Sequence, residues 1–280
     1  MPLPTDPKQC WPPAHNDVWL DKYREHSAWY SSSPQRLLDY YSSSIYNNMP
    51  NGHIWARDTR ERIAIAVHMP LAADLAKVSA DLLFSEPPDF LIPEAQGDKA
   101  ATKWKNTQKV FNKLIEDAGV VNRLLEGAET CSAMGGVYMR PVWDKKVAPH
   151  PILDIVQPDA AIPEFSWGYL TAVTFWRIVC EEKRDNNDKE RSIWRHLERH
   201  ELGTDGNGLI LHGLYKGTLD KLGVLQTLDS QAATVGLEPA IDTKMPGLCA
   251  YYIPNMLPNR LDSAASIGTS DYYGLEGLFA

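Results

Sequence analysis

Between Gly135-Gly136 and residue 217 the sequence is cut into short segments by residues that stop ladders and helices alike. The segments are 137–142, 152–156, 170–180, 192–202 and 209–215. Pro149, Pro151, Pro158, Pro163, a charged loop over 181–191 and a glycine-bounded turn over 203–208 separate them. Apolar runs bounded in this way read as strands. Around residue 196 the period is visibly two: Ile193, Arg195, Leu197 and Arg199 alternate with Trp194, His196, Glu198 and His200. Successive strands with short links pair antiparallel, so the stretch is expected to form a meander. A last strand is expected at 251–253. Residues 218–248 follow no single period.

The first half reads differently. Five prolines within residues 1–16 predict an irregular arm. Val18, Trp19, Tyr23, His26 and Tyr30, then Leu37, Leu38, Tyr41 and Ile45 after a break at Ser31 to Pro34, have helical spacing across 17–46. Residues 47–53 read as a turn, 63–67 as a short strand and 89–92 as another. Pro70 suits the first turn of a helix whose apolar stripe is Leu71, Leu75, Val78 and Leu82. Residues 99–118 predict an amphipathic helix with Trp104, Gln108, Phe111, Leu114 and Ile115 on one side. Lys99, Lys103, Lys105, Lys109 and Lys113 occupy the other. Gly119 breaks it, and a second helix over 120–134 is expected to fold back as an antiparallel hairpin. The fold class is therefore α+β: N-terminal helices, a helical hairpin and an antiparallel meander.

Composition narrows the function. The net charge of −8 argues against a general polyanion binder. The N-terminus has neither a basic start nor an apolar run, so it is not a signal peptide. The longest apolar stretch, 170–180, is too short to span a bilayer. Cys10, Cys131, Cys180 and Cys249 form no C-x-x-C pair and read as reduced, mostly buried thiols. No phosphate-binding glycine motif, nucleophile elbow or H-E-x-x-H motif occurs. His196, Glu198 and His200 are the best metal candidates. On a strand, though, His196 and His200 stand about 13 Å apart, so a solvated polar face is the expected reading, with His212 as a cross-strand neighbour. No catalytic, cofactor or metal residue is assigned. Trp143, Trp167, Trp176, Trp194, Tyr169 and Phe175 crowd the meander as core or as interface anchors.

At the C-terminal end Ser270 suits a helix N-cap, and Tyr272, Leu275 and Phe279 follow at i, i+3 and i+7. This stripe is expected to start a longer helix and to serve as a candidate subunit interface.

Several stretches stand out together: 68–76 (His-Met-Pro-Leu-Ala-Ala-Asp-Leu-Ala), 79–88 (Ser-Ala-Asp-Leu-Leu-Phe-Ser-Glu-Pro-Pro) and 135–144 (Gly-Gly-Val-Tyr-Met-Arg-Pro-Val-Trp-Asp). Residues 158–165 (Pro-Asp-Ala-Ala-Ile-Pro-Glu-Phe), 214–218, 253–260 and 268–279 continue the series. Together they resemble the portal proteins of tailed bacteriophages, of the SPP1-like type found with actinobacterial hosts. The specificity lies in their order over 55–280. The resemblance implies an arm with helices over 1–54, a wing-like α+β domain over 55–268, and the start of a truncated long helix over 269–280. It implies a structural subunit and no enzyme: a homo-oligomeric ring of about a dozen copies built on head-to-tail contacts, in the virion at the portal vertex of the capsid and in the host cytoplasm during assembly. Its implied partners are the terminase, the major capsid protein, head-tail connector proteins and double-stranded DNA that passes through without sequence-specific binding. No cofactor and no membrane are implied. The alternative is a soluble metal-dependent hydrolase or binding module using His196, Glu198 and His200.

Overall fold

A computed structural model describes residues 3–41, 69–93, 98–183, 191–257, 259 and 266–276. The turn expected at 47–53 and the strand expected at 63–67 lie outside these residues. Among the described residues five α-helices come first: α1 (Asp17–Tyr30), α2 (Pro34–Tyr41), α3 (Leu71–Leu83), α4 (Asp98–Asp117) and α5 (Val120–Met134). Nine strands follow: β1 (Gly136–Val142), β2 (Ile152–Val156), β3 (Ala161–Ser166), β4 (Tyr169–Lys183), β5 (Arg191–Leu202), β6 (Asn207–Gly217), β7 (Val224–Gln226), β8 (Ala240–Pro246) and β9 (Tyr251–Pro254). The α+β class and the antiparallel meander are as expected.

The meander does not stay in one plane. β2, β1 and β9 form a three-stranded sheet, while β3-β4-β5-β6-β7 form a second one in which β8 also pairs with β6. Tyr138 of β1 decides how the two meet. It is buried with Ala161, Val173 and Phe175 of the larger sheet, and its ring stands edge-on to Phe175 at 5.8 Å. The next residues on β1, Val137 and Met139, face the opposite way on the pleat. There α5 lies so close that a Cβ on Gly127 would strike Met139 Cε at 2.5 Å. The molecule is thus layered: helices, small sheet, large sheet.

A fourth layer comes from the N-terminal arm. Trp11 and Leu3 pack against Ile162, Leu197, Tyr215 and Leu222 on the far face of the large sheet. The Tyr215 hydroxyl donates to the carbonyl of Pro4 at 2.9 Å, and the N–H groups of Leu222 and Gly223 donate to the carbonyls of Gln9 and Pro7. The prolines keep the arm extended, and the sheet's edge loop supplies its partners.

The helical core unites Leu20, Tyr23 and Trp29 of α1, Leu37 and Tyr41 of α2, Ala72 and Ala76 of α3 and Ala133 of α5 with Ile267 and Tyr272. Residues from all three stretches separated in the sequence reading, 1–54, 55–268 and 269–280, therefore share one core. Residues 271–274 form a turn in which Gly274 takes a left-handed φ of +82°; Glu276 is helical, and the rest of the helix expected over 269–280 lies outside the described residues. Ser270 is buried and its hydroxyl makes no capping bond.

The strand expected at 89–92 is not formed: among the described residues these positions pair with no strand, and their backbone bonds go to side chains of α4. Gln108 Nε2 donates to Phe90 O at 2.7 Å, Trp104 Nε1 donates to Ile92 O at 2.8 Å, and Ile92 N–H donates to Gln108 Oε1 at 2.8 Å. In the α4–α5 hairpin, α5 packs chiefly on α3 and β1 and meets α4 in fewer places.

Candidate functional site

Strand β5 carries the residues singled out as metal candidates. It is a strand with period-two alternation, but its polar face is not solvated. His196 is 4 % exposed and His200 1 %. The small sheet covers this face, and the arm and edge loops cover the other. Arg195, on the arm side, donates to the carbonyls of Thr218, Leu219 and Lys221, while Arg199 pairs with Glu164 and Glu201. A strand central to its sheet and covered on both sides must bury its polar residues with partners.

The partners on the sandwich side come from three strands. Glu198 Oε1 accepts from His200 Nε2 at 2.7 Å and from Arg140 Nη1 of β1. Arg140 Nε also donates to Asp154 of β2 at 2.8 Å, and its guanidinium lies over the Phe175 ring. Opposite Glu198 on β6 stands His212, whose Nδ1 meets His196 Nε2 at 3.1 Å with the rings nearly parallel. One of these nitrogens donates and the other accepts. A cavity of about 290 Å3 opens beside the group, lined by Arg140, Asp154, Phe175, Arg177, His196 and Glu198.

The electrostatics follow from burial and pairing. Burial lowers His196 to about 4, with His212 adding to the effect, and burial lowers His212 in turn. Burial pushes Glu198 up, but the hydrogen bond from His200 and the charge of Arg140 outweigh it and hold the carboxylate at about 2. Such a carboxylate is a weak base, and two donors already engage it. Among the described residues no three His, Cys, Asp or Glu side chains converge as metal ligands. The structure brings His196, Glu198 and His212 together, but as an internal polar network. Arg140 and Arg177 were not singled out from the sequence, because the register of one sheet over another leaves no mark in a linear pattern.

The interface stripe also changes. Tyr272 is fully buried; its hydroxyl lies 2.8 Å from the carbonyl oxygen of His26 and 2.7 Å from that of Ala133. It secures the C-terminal turn to α1 and α5 and is not available to a neighbour. Leu275 is exposed, and Phe279 lies outside the described residues. The aromatics divide in the same way: Trp194 and Phe175 are buried, whereas Trp143, Trp167 and Tyr169 are exposed. Of the four free cysteines only Cys249 is buried, and Cys10 is exposed.

The largest departure lies on α3. Its small residues face inward: Ala72, Ala76 and Ala80 are at most 2 % exposed. Its large ones face out, with Val78 53 %, Leu82 72 % and Leu83 70 % exposed, and Leu91 is similarly open. Close packing of α3 on α5 requires the alanine face, which leaves the aliphatic stripe without cover among the described residues. Next to it a groove of about 200 Å3, mostly apolar, runs between Leu83, Phe84, Leu124, Ala128, Val137 and Ile253. No described helix is long and apolar enough to cross a membrane. In comparisons with known proteins, no protein-family model and no curated protein matches this sequence.

Proposed function

We propose that this chain is a structural subunit of a portal-type ring at a capsid vertex of a tailed phage. The ring is the conduit for DNA packaging and ejection and the platform on which a terminase docks. The ordered series of portal-like stretches supports the reading, and one structural observation carries it. A soluble chain rarely exposes a contiguous row of large aliphatic residues unless another surface covers it, and Leu75, Val78, Leu82 and Leu83 make such a row on α3. A ring needs one on every subunit, because each copy presents a donor face to one neighbour and an acceptor face to the other. The buried network around Glu198 then serves to fix the register of the two sheets, with the ATP chemistry left to the terminase.

The test is direct. The purified chain, imaged by negative stain and weighed by native mass spectrometry, is expected to give closed rings of about a dozen copies. Monomers alone at tens of micromolar would end this reading. The hydrolase alternative requires Glu198 to leave Arg140 and His200, and stoichiometric metal in the purified protein would favour it.

A further inference from the structure

We propose that α3 and α4 are the two halves of one contact between copies of this chain: the aliphatic, acid-flanked face of α3 on one copy receives the basic face of α4 on the next. This inference rests on the self-assembly part of the reading above and adds which surfaces meet.

The exposed face of α3 and the turn after it carry Asp74, Asp81, Glu86 and Asp89 against a single Lys77, around Leu75, Val78 and Leu82. The exposed face of α4 is the opposite in charge. Lys103, Lys105, Lys109 and Lys113 surround Val110, itself 69 % exposed. Asp117 and Glu116 lie only at its far end. Among the described residues none of these acids and lysines forms an ion pair. Nor do the two helices pack on each other within one chain.

The spacing fits as well. Asp74 and Asp81 are separated by about 10 Å along α3, and Lys105 and Lys113 by about 12 Å along α4. Pairing α3 with α3 sets acid against acid, and pairing α4 with α4 sets lysine against lysine. Like-charge contacts of that kind select against both. The favoured pairing is α3 on α4, which joins two different surfaces. The apolar side of α4 is already occupied: Phe111 stands edge-on to Phe90 at 6.5 Å, and Trp104 and Gln108 hold the 90–92 backbone. Among the described residues, the lysine face of α4 is the side left free to meet a neighbour.

The experiment compares four chains by sedimentation velocity across a concentration series: the wild type, Lys105→Glu/Lys109→Glu, Asp74→Lys/Asp81→Lys, and the four substitutions combined. All sites are exposed, so circular dichroism and thermal melts are expected to match the wild type. Each charge reversal should shift the association midpoint at least tenfold upward. The combined chain should return to within about threefold of the wild type, and added salt should weaken wild-type assembly. Wild-type-like assembly by both reversed chains overturns this contact while leaving the ring reading intact. A wild type that never associates ends both. A lysine variant that loses affinity for duplex DNA yet assembles normally assigns the face to nucleic acid and also overturns the contact.

Discussion

Tyr272 shows how one side chain redirects a segment. Its ring fills the helical core between α1 and α5, and its hydroxyl lies within hydrogen-bond distance of the carbonyls of His26 and Ala133. Burial pushes its pKa well above the ordinary tyrosine value, so it stays neutral and keeps donating at any physiological pH. Replacing Tyr272 with Phe keeps the packing and removes this buried donor. The expected loss is about 1–2 kcal/mol in urea-induced unfolding. The same position illustrates what a sequence hides. Spacing placed Tyr272, Leu275 and Phe279 on one stripe, but stripe geometry assumes a helix. Gly274, in the middle of that stripe, takes the left-handed conformation, so Tyr272 lies in a turn ahead of the helical position at Glu276.

At the scale of elements, α3 separates stability from assembly. Ala76 is completely buried at the α5 contact, so Ala76→Leu should overpack it and cost about 1–3 kcal/mol in a thermal or urea melt. Leu82→Gln, on the open face, should change stability by no more than about 0.5 kcal/mol while weakening self-association. Reversal of that order would show that α3 is seated the other way round. Helices α1, α2, α4 and α5 and strands β1, β2, β4, β5, β6 and β9 were legible because each carries a clean period between clear breaks. β3 was not, because Pro163 sits inside it; the proline is tolerated since β3 is an edge strand. β8 was not, because one side of the strand faces solvent and little apolar alternation is needed. For α3 the period was legible but its direction was not. Leucines are expected inward, and only close approach to α5 explains why alanines took that place. The chemistry of His196, Glu198 and His200 was visible as residue types, whereas their burial depended on a second sheet that no local pattern announces.

At the scale of the molecule, titratable groups in two separate layers act in the same direction. His26, in the helical core, is lowered by burial from 6.5 to about 4, and His196, in the sandwich, is lowered similarly by burial. The unfolded chain takes up these protons near pH 6.5 and the folded one only near pH 4. The stability each contributes is therefore present above about pH 6.5 and lost as pH falls toward 4. Glu198, depressed to about 2, adds a further loss below about pH 4.5, whereas Glu276, raised by burial, opposes it. The urea midpoint is expected to fall steadily from pH 7 to pH 4.5. His26→Phe should flatten that limb by up to roughly 3 kcal/mol, and an unchanged slope would place the acid sensitivity elsewhere.

The arm across the large sheet sets a timetable for biosynthesis. Pro4 and the hydroxyl of Tyr215 are 211 positions apart in the chain, and Pro7 waits for Gly223. At ordinary ribosomal speeds the arm spends roughly 10–40 s without its dock. Throughout that interval Trp11 has nowhere to hide, and a chaperone or a protease meets it before the sheet does. The last fastening of this layer is thus made with residues translated well before the sheet that receives them.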